Sequence, residues 1–438
     1  MVNELEIMNN TIQHTLQKSQ KAFVDWKKVP FEERQNSLKK LSSLLLERKQ
    51  EFGKIITQEM NKPISQSIAE IEKCAGMCDY YAQSENILKP EKVATEHQIS
   101  EIHHEPMGVI LGIMPWNFPF WQVLRFAVPT ILAGNTIILK HASICEKSGD
   151  VIQEIFEKAG FPEGVFTHIK VSHAEIEAMI EHAVIKGVSL TGSEAAGRKI
   201  AETAGKNLKK CVLELGGSDA FIVCEDADVE KASTDAAQAR LQNTGQSCIA
   251  GKRFIVNANI YDAFIPKFIQ EYQKYNPANP MSAETNLGLM AREDLAKDLE
   301  NQYHKAIEHG AKIILPLDKV GNMAFTPGIL EMNAENPVLQ EELFGPLAMV
   351  FKADNDQEAL EIANGTMFGL GNAVFTQDKN KALFFAENLE SGSVAINQIF
   401  RSDVRLPFGG RKNSGYGLEL SLYALHEFTI KKSIVGNF

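Results

Sequence analysis

Val109-Ile-Leu-Gly-Ile-Met-Pro-Trp-Asn-Phe-Pro119 passes from an apolar run into a turn bounded by two prolines. A short apolar run ending at such a turn reads as a buried strand. A helical pattern opens near Phe120, and residues 136–140 read as the next strand. The alternation continues with a helix at 151–160, a strand at 165–171, a helix at 176–182 and a strand at 187–190. Strands and helices in this order predict a mostly parallel sheet covered on both faces.

The pattern restarts after Gly216-Gly217, with strands at 221–223 and 254–256 and helices at 229–241 and 261–275. A second α/β domain is the simplest account. Upstream, Val24, Trp26, Leu41, Leu44, Leu45, Phe52, Ile55 and Ile56 recur at helical spacing over the first 85 residues. Residues 91–102 turn mixed and polar, as in an excursion from the main body. The tail from 428 to 435 reads as an exposed strand, an edge that proteins seldom leave bare and that a neighbouring subunit would cover.

A chain of 438 residues, 44% of them hydrophobic, is too long for one ordinary core. Its net charge of −11 excludes the basic stripe of a nucleic-acid binder. No stretch approaches the roughly 20 apolar residues of a membrane span. Met1-Val-Asn-Glu is not a basic region leading into an apolar run, which argues against a secretory signal. The six cysteines then read as reduced thiols, and the expected location is cytoplasmic. Cys74 and Cys78 share a helix face without the spacing of a zinc motif, so no metal is expected.

Four segments carry candidate chemistry. In Asn243-Thr-Gly-Gln-Ser-Cys248 a cysteine follows a glycine turn, where backbone N–H groups would lower a thiol's pKa; the alternative is a packing cysteine. In Leu213-Glu-Leu-Gly-Gly217 apolar neighbours would raise the pKa of Glu214 and fit it to take a proton from water; the alternative is a solvated strand residue. Asn117, fixed between two aromatics and two prolines, could donate to an oxyanion; the alternative is a turn with an aromatic anchor. Thr191-Gly-Ser-Glu-Ala-Ala-Gly197 can present N–H groups to a phosphate; the alternative, favoured for this segment alone, is a plain strand–helix turn. It is not a GxGxxG fingerprint, and Arg198 stands where a phosphate-binding P-loop needs its lysine.

Each signal is modest by itself. In order, and joined by Glu341-Glu-Leu-Phe-Gly-Pro346 and Pro407-Phe-Gly-Gly-Arg-Lys-Asn-Ser-Gly-Tyr-Gly417, they resemble the aldehyde dehydrogenase superfamily from about residue 15 to the C-terminus. The resemblance implies a Rossmann-like NAD(P)-binding domain (1–87 and 107–214), a second α/β catalytic domain (215–413) and a small β oligomerisation arm (88–106 and 428–438). A homodimer or homotetramer is the implied assembly. Cys248 is the implied nucleophile, Asn117 with the Cys248 N–H the oxyanion site, and Glu214 the base that hydrolyses a thioester. Glu214 also argues against the CoA-acylating branch. Trp116, Lys140, Ser143, Gly192, Ser193, Glu342 and Phe344 fall at positions that contact NAD or NADP. Ser143 stands where the family often has a glutamate that would repel a 2′-phosphate, so NADP is expected to be accepted.

Within the superfamily the chain is most similar to short bacterial succinate-semialdehyde dehydrogenases, on Trp121-Gln-Val-Leu-Arg125, Lys140-His-Ala-Ser143, Glu214-Leu-Gly-Gly-Ser-Asp219 and Asp403-Val-Arg-Leu-Pro-Phe-Gly-Gly410. Arg125 is then either the anchor for a substrate carboxylate or half of an ion pair that holds its helix. Gln242 stands where some semialdehyde enzymes place a second arginine, and Ser218 replaces the lysine usual after the glycine pair. The alternatives to the semialdehyde are another small or aliphatic aldehyde, or a non-catalytic binding relative, which would be expected to have lost Cys248, Asn117 or Glu214.

Overall fold

The computed structural model describes residues 10–438. Four helices lead the chain: α1 (Asn10–Trp26), α2 (Phe31–Glu47), α3 (Lys49–Met60) and α4 (Ile64–Ala82). Trp26, Leu41, Leu45, Phe52 and Ile56 are buried as their spacing predicts, whereas Val24 faces solvent. Burial of each such side chain stabilises the fold by about 1.5–3 kcal/mol. Cys74 and Cys78 are both fully buried on α4, and among the described residues no group of acids, histidines and cysteines is placed to hold a metal.

The polar excursion contains β1 (Ile99–Pro106). The α/β alternation follows as β2 (Val109–Met114), α5 (Trp121–Leu132), β3 (Thr136–His141), α6 (Glu146–Lys158), β4 (Phe166–His168), α7 (His173–Glu181), β5 (Ile185–Thr191), α8 (Glu194–Lys206) and β6 (Lys210–Glu214). Helix α6 starts earlier than its apolar pattern predicts. Its first turn is polar, and the Glu59 carboxylate holds it by accepting the N–H groups of Lys147 and Ser148.

The second half contains β7 (Asp219–Val223), α9 (Val229–Leu241), β8 (Gly251–Asn257), α10 (Tyr261–Tyr272), α11 (Glu293–Glu308), β9 (Lys312–Leu315), β10 (Gly328–Glu331), β11 (Leu347–Ala353), α12 (Asp356–Asn364), β12 (Gly371–Phe375), α13 (Lys379–Asn388) and β13 (Ser393–Ile396). The chain closes with β14 (Gly415–Tyr416) and β15 (Thr429–Gly436).

Two sheets result. The first runs β14-β6-β5-β2-β3-β4, parallel except for β14. The second runs β9-β10-β11-β8-β7-β12-β13, parallel except for β9. In the first sheet the chain winds outward through β3 and β4 on one side of β2, then returns to build β5 and β6 on the other. The gap between the ends of β2 and β5 is therefore the topological switch point, where open α/β sheets bind ligands. A third sheet joins residues 91–92, β1 and β15. Strand β15 is its outer edge and exposes Ile430 and Val435. No described helix is long and apolar enough to cross a membrane.

Candidate active site

Two cavities meet at Cys248. The first, of about 240 Å³, opens at the switch point and is lined by Trp116 and Asn117 after β2, Thr191, Gly192 and Ser193 after β5, Leu215 and Gly216 after β6, then Cys248, Glu342 and Phe344. The second, of about 290 Å³, is lined by Cys248, Phe118, Trp121, Arg125, Gln242 and Phe408, with Lys73 and Arg401. Gln122 lines both, is buried, and leaves its Oε1 without a hydrogen-bond partner. Cys248 thus stands between two chambers.

The loop that delivers Cys248 is strained. Asn243 and Thr244 both adopt left-handed backbone (φ 53° and 57°), at a cost of order 1–3 kcal/mol each. Side chains hold them there. The Asn243 amide donates to the carbonyls of Asn117 (2.8 Å) and Gln246 (3.0 Å), its backbone N–H donates to Gln66, and Thr244 Oγ1 accepts the Gly288 N–H. Beyond the turn, fully buried Lys252 donates to the carbonyl of Cys248 (2.7 Å) and to Glu342 Oε1 (3.0 Å). Glu342 Oε1 also accepts the Gly217 N–H at 3.0 Å. A Cβ at Gly217 would come within 2.5 Å of the Cys248 carbonyl oxygen, so the glycine pair after Glu214 lets that strand end approach the nucleophile.

Asn117 is buried, and its Nδ2 donates to the Gln246 carbonyl at 3.2 Å. An amide nitrogen carries two protons, which leaves one for a substrate oxygen. Trp116 and Phe344 face each other edge to face across the first cavity, 5.6 Å between centroids. Ser193 caps α8 by accepting the Ala196 N–H. The Thr191 hydroxyl is buried and has no hydrogen-bond partner among the described residues. Lys140 and Ser143 are not among the residues lining this cavity. Lys140 is the penultimate residue of β3, in register with Ile113 of β2, and Ser143 is exposed on the next turn.

The electrostatics differ in part from the sequence expectation. Burial pushes the Cys248 thiol up to about 12, outweighing the downward pull of Arg125 and then Lys252. The expected lowering by backbone N–H groups is overridden by the packing around Cys248, although the residue is only half-buried and opens on both cavities. Glu214 behaves as expected: burial holds its carboxyl well above the usual range, Arg125 opposes this, and Glu419 and Glu427 add to it. Among the described residues neither Glu214 oxygen has a hydrogen-bond partner. The carboxyl is not among the residues lining the two cavities; it immediately precedes Leu215 and Gly216, which line the first. The Pro407–Gly417 motif wraps it from behind through β14, which pairs Gly415 with Glu214.

Arg125 forms a buried ion pair with Glu419, and its guanidinium lies 4.4 Å above the Phe408 ring. The pair is the contact named in one of the two sequence readings of Arg125, whose side chain also lines the second cavity. Gln242 lines the second cavity from an exposed position. The pattern reading missed Lys252, Gln122 and Lys73. Their contacts lie across the fold, where periodicity carries no signal.

A sequence profile of the Aldehyde dehydrogenase family matches residues 6–434. The chain belongs to the aldehyde dehydrogenase family. It is 42% identical to Escherichia coli (strain K12) succinate semialdehyde dehydrogenase [NAD(P)+] Sad, over 95% of this chain and 91% of that one. It is 39% identical to the Deinococcus radiodurans succinate-semialdehyde dehydrogenase [NADP(+)], over 96% and 89%. Among solved structures, succinic semialdehyde dehydrogenase from Streptococcus pyogenes in complex with NADP+ superposes with a TM-score of 0.95 at 34% identity, over 99% and 96% of the two chains. This aldehyde dehydrogenase thus carries the family's fold over its described length, and its family is one of oxidoreductases.

Proposed function

We propose that the enzyme oxidises succinate semialdehyde to succinate with NADP, and accepts NAD. The observation that carries this reading is a cysteine placed between a switch-point cavity and a second chamber with cationic side chains on its wall. The names of the relatives support it.

The residues around the first cavity fit a dinucleotide. An aromatic pair suits a flat ring, the start of α8 suits a phosphate, and the buried Thr191 hydroxyl suits a polar ligand atom. Trp116, Gly192, Ser193, Glu342 and Phe344 would hold it, with Lys140 and Ser143 beside the adenosine ribose. NAD(P) bound there supplies the hydride acceptor.

Cys248 Sγ adds to the aldehyde carbon as the carbonyl π bond breaks, and its thiol proton passes to solvent water. Asn117 Nδ2 and the Cys248 N–H hold the oxyanion, an interaction worth about 3–4 kcal/mol where single donors have been removed. Loss of hydride from the carbon leaves a thioester. Glu214 then takes a proton from water, whose oxygen displaces the thiolate and releases the acid. A carboxyl raised by burial is a stronger base than an ordinary one, which suits that task. For Glu214 to reach the water, its side chain turns from the Arg125–Glu419 pair toward the cavity behind Gly216.

The exposed edge of β15 supports a homo-oligomer, dimer or tetramer, as the assembled state. Steady-state oxidation of succinate semialdehyde beside butanal, each with NAD and NADP, tests the substrate and cofactor together. A clear preference for the semialdehyde is expected, and equal use of butanal would remove the substrate assignment.

A further inference from the structure

We propose that Lys73, assisted by Arg401, holds the distal carboxylate of the substrate in the second chamber; this rests on the semialdehyde reading above. Four charged side chains line that chamber: Glu70, Lys73, Arg125 and Arg401. Two are already neutralised. Buried Glu70 pairs with buried Lys62 at 2.5 Å, and Arg125 pairs with buried Glu419. Among the described residues, Lys73 and Arg401 form no ion pair. The uncompensated charge on the wall is therefore that of two cations, and a desolvated anion is the complementary ligand.

Lys73 is also held in place. Its Nζ donates to Ser402 Oγ at 2.7 Å and lies 4.0 Å from the Trp121 ring centroid. An ammonium has three donors, so two remain for a carboxylate. Although the residue as a whole is exposed, its head group is enclosed: burial first and Arg125 second push the ammonium down to about 8, with Arg401 adding and Cys74 and Glu70 opposing. The head-group environment is the one that matters for a ligand, and an ammonium held by Ser402 and Trp121 on the wall of the cavity is placed for an anion.

The same helix also supports the other end of the substrate. One turn before Lys73, Glu70 Oε1 accepts the N–H groups of Phe120 and Trp121, both at 2.9 Å. This fixes the start of α5 just after Asn117. Helix α4 thus sets Lys73 and the oxyanion loop relative to each other. Gln242, which carries no charge, lines the same chamber, and Lys73 supplies the cation that this position lacks.

The test compares wild type, Lys73→Met, Lys73→Arg and Arg401→Met on succinate semialdehyde and butanal, with succinate as an inhibitor of butanal oxidation. Lys73→Met is expected to cut kcat/KM for the semialdehyde about tenfold or more relative to that for butanal. The change should fall mainly on KM, and inhibition by succinate should weaken by a similar factor. Lys73→Arg should restore most of the ratio, and Arg401→Met should lower it less. A wild type that prefers the semialdehyde, with the ratio unchanged in Lys73→Met, would overturn the anchor alone. A wild type without that preference would overturn the substrate reading, and the anchor with it.

Discussion

Arg125 and Glu419 form an ion pair in which both side chains are almost fully excluded from solvent, at 2% and 3% relative exposure. Glu419 also raises the Glu214 carboxyl, which Arg125 lowers. The pair therefore sets the field around the proposed base, and substrate binding is not its only available role.

Removing one partner strands a buried charge. Arg125→Leu is expected to lower stability by about 3–5 kcal/mol, read as a shift in the urea midpoint. The double variant Arg125→Leu/Glu419→Leu should recover much of that loss. The single variant should impair semialdehyde and butanal oxidation alike. A selective defect toward the semialdehyde would make Arg125 the carboxylate anchor.

The Lys62–Glu70 pair is as deeply buried, and Glu70 also caps α5. Glu70→Gln leaves Lys62 unpaired and weakens the two backbone bonds. The expected cost is again about 3–5 kcal/mol. Because the Asn117 loop adjoins α5, kcat should fall with it for charged and uncharged aldehydes equally.

Two groups give pH signatures of opposite sense. With its thiol pushed up to about 12, Cys248 of the cofactor-free enzyme should react with iodoacetamide slowly at neutral pH. The rate should rise about tenfold per pH unit with no plateau below pH 9. Lys73, held near 8, is charged below that value and neutral above it. It faces Glu70 and Cys74 on its own helix, Arg125 on α5, and Arg401 and Asp403 on the facing loop. The KM for succinate semialdehyde should therefore rise as pH increases through about 8, while that for butanal does not follow. Loss of this rise in Lys73→Arg would tie it to Lys73.

Ser143 is exposed one turn after Lys140. A carboxylate introduced there would meet the 2′-phosphate of NADP. Ser143→Glu should lower kcat/KM with NADP about tenfold or more relative to NAD. An unchanged ratio would place cofactor discrimination elsewhere.

The fold was legible because its strands are buried on both faces and read as apolar runs ending in turns, as at Val109–Met114. Helix α6 was misplaced at its start, since the Glu59 contacts that hold its polar first turn come from a distant helix. Motif order names Asn117, Glu214 and Cys248, and the structure brings Asn117 and Cys248 to one cavity with Glu214 next to its wall residue Leu215. The elevated thiol of Cys248 was not legible, because packing is a property of the folded chain. Lys73 gave no signal at all: its Ser402 partner is 329 positions away, and locally it is one more charge on an amphipathic helix.

The most direct test of the central claim is the intact mass of Glu214→Gln after incubation with succinate semialdehyde and NADP. The account predicts one equivalent of NADPH and one succinyl group retained on the peptide containing Cys248, because acylation proceeds and hydrolysis does not. NADPH formed with no acyl group on Cys248, or full steady-state turnover by this variant, would contradict it.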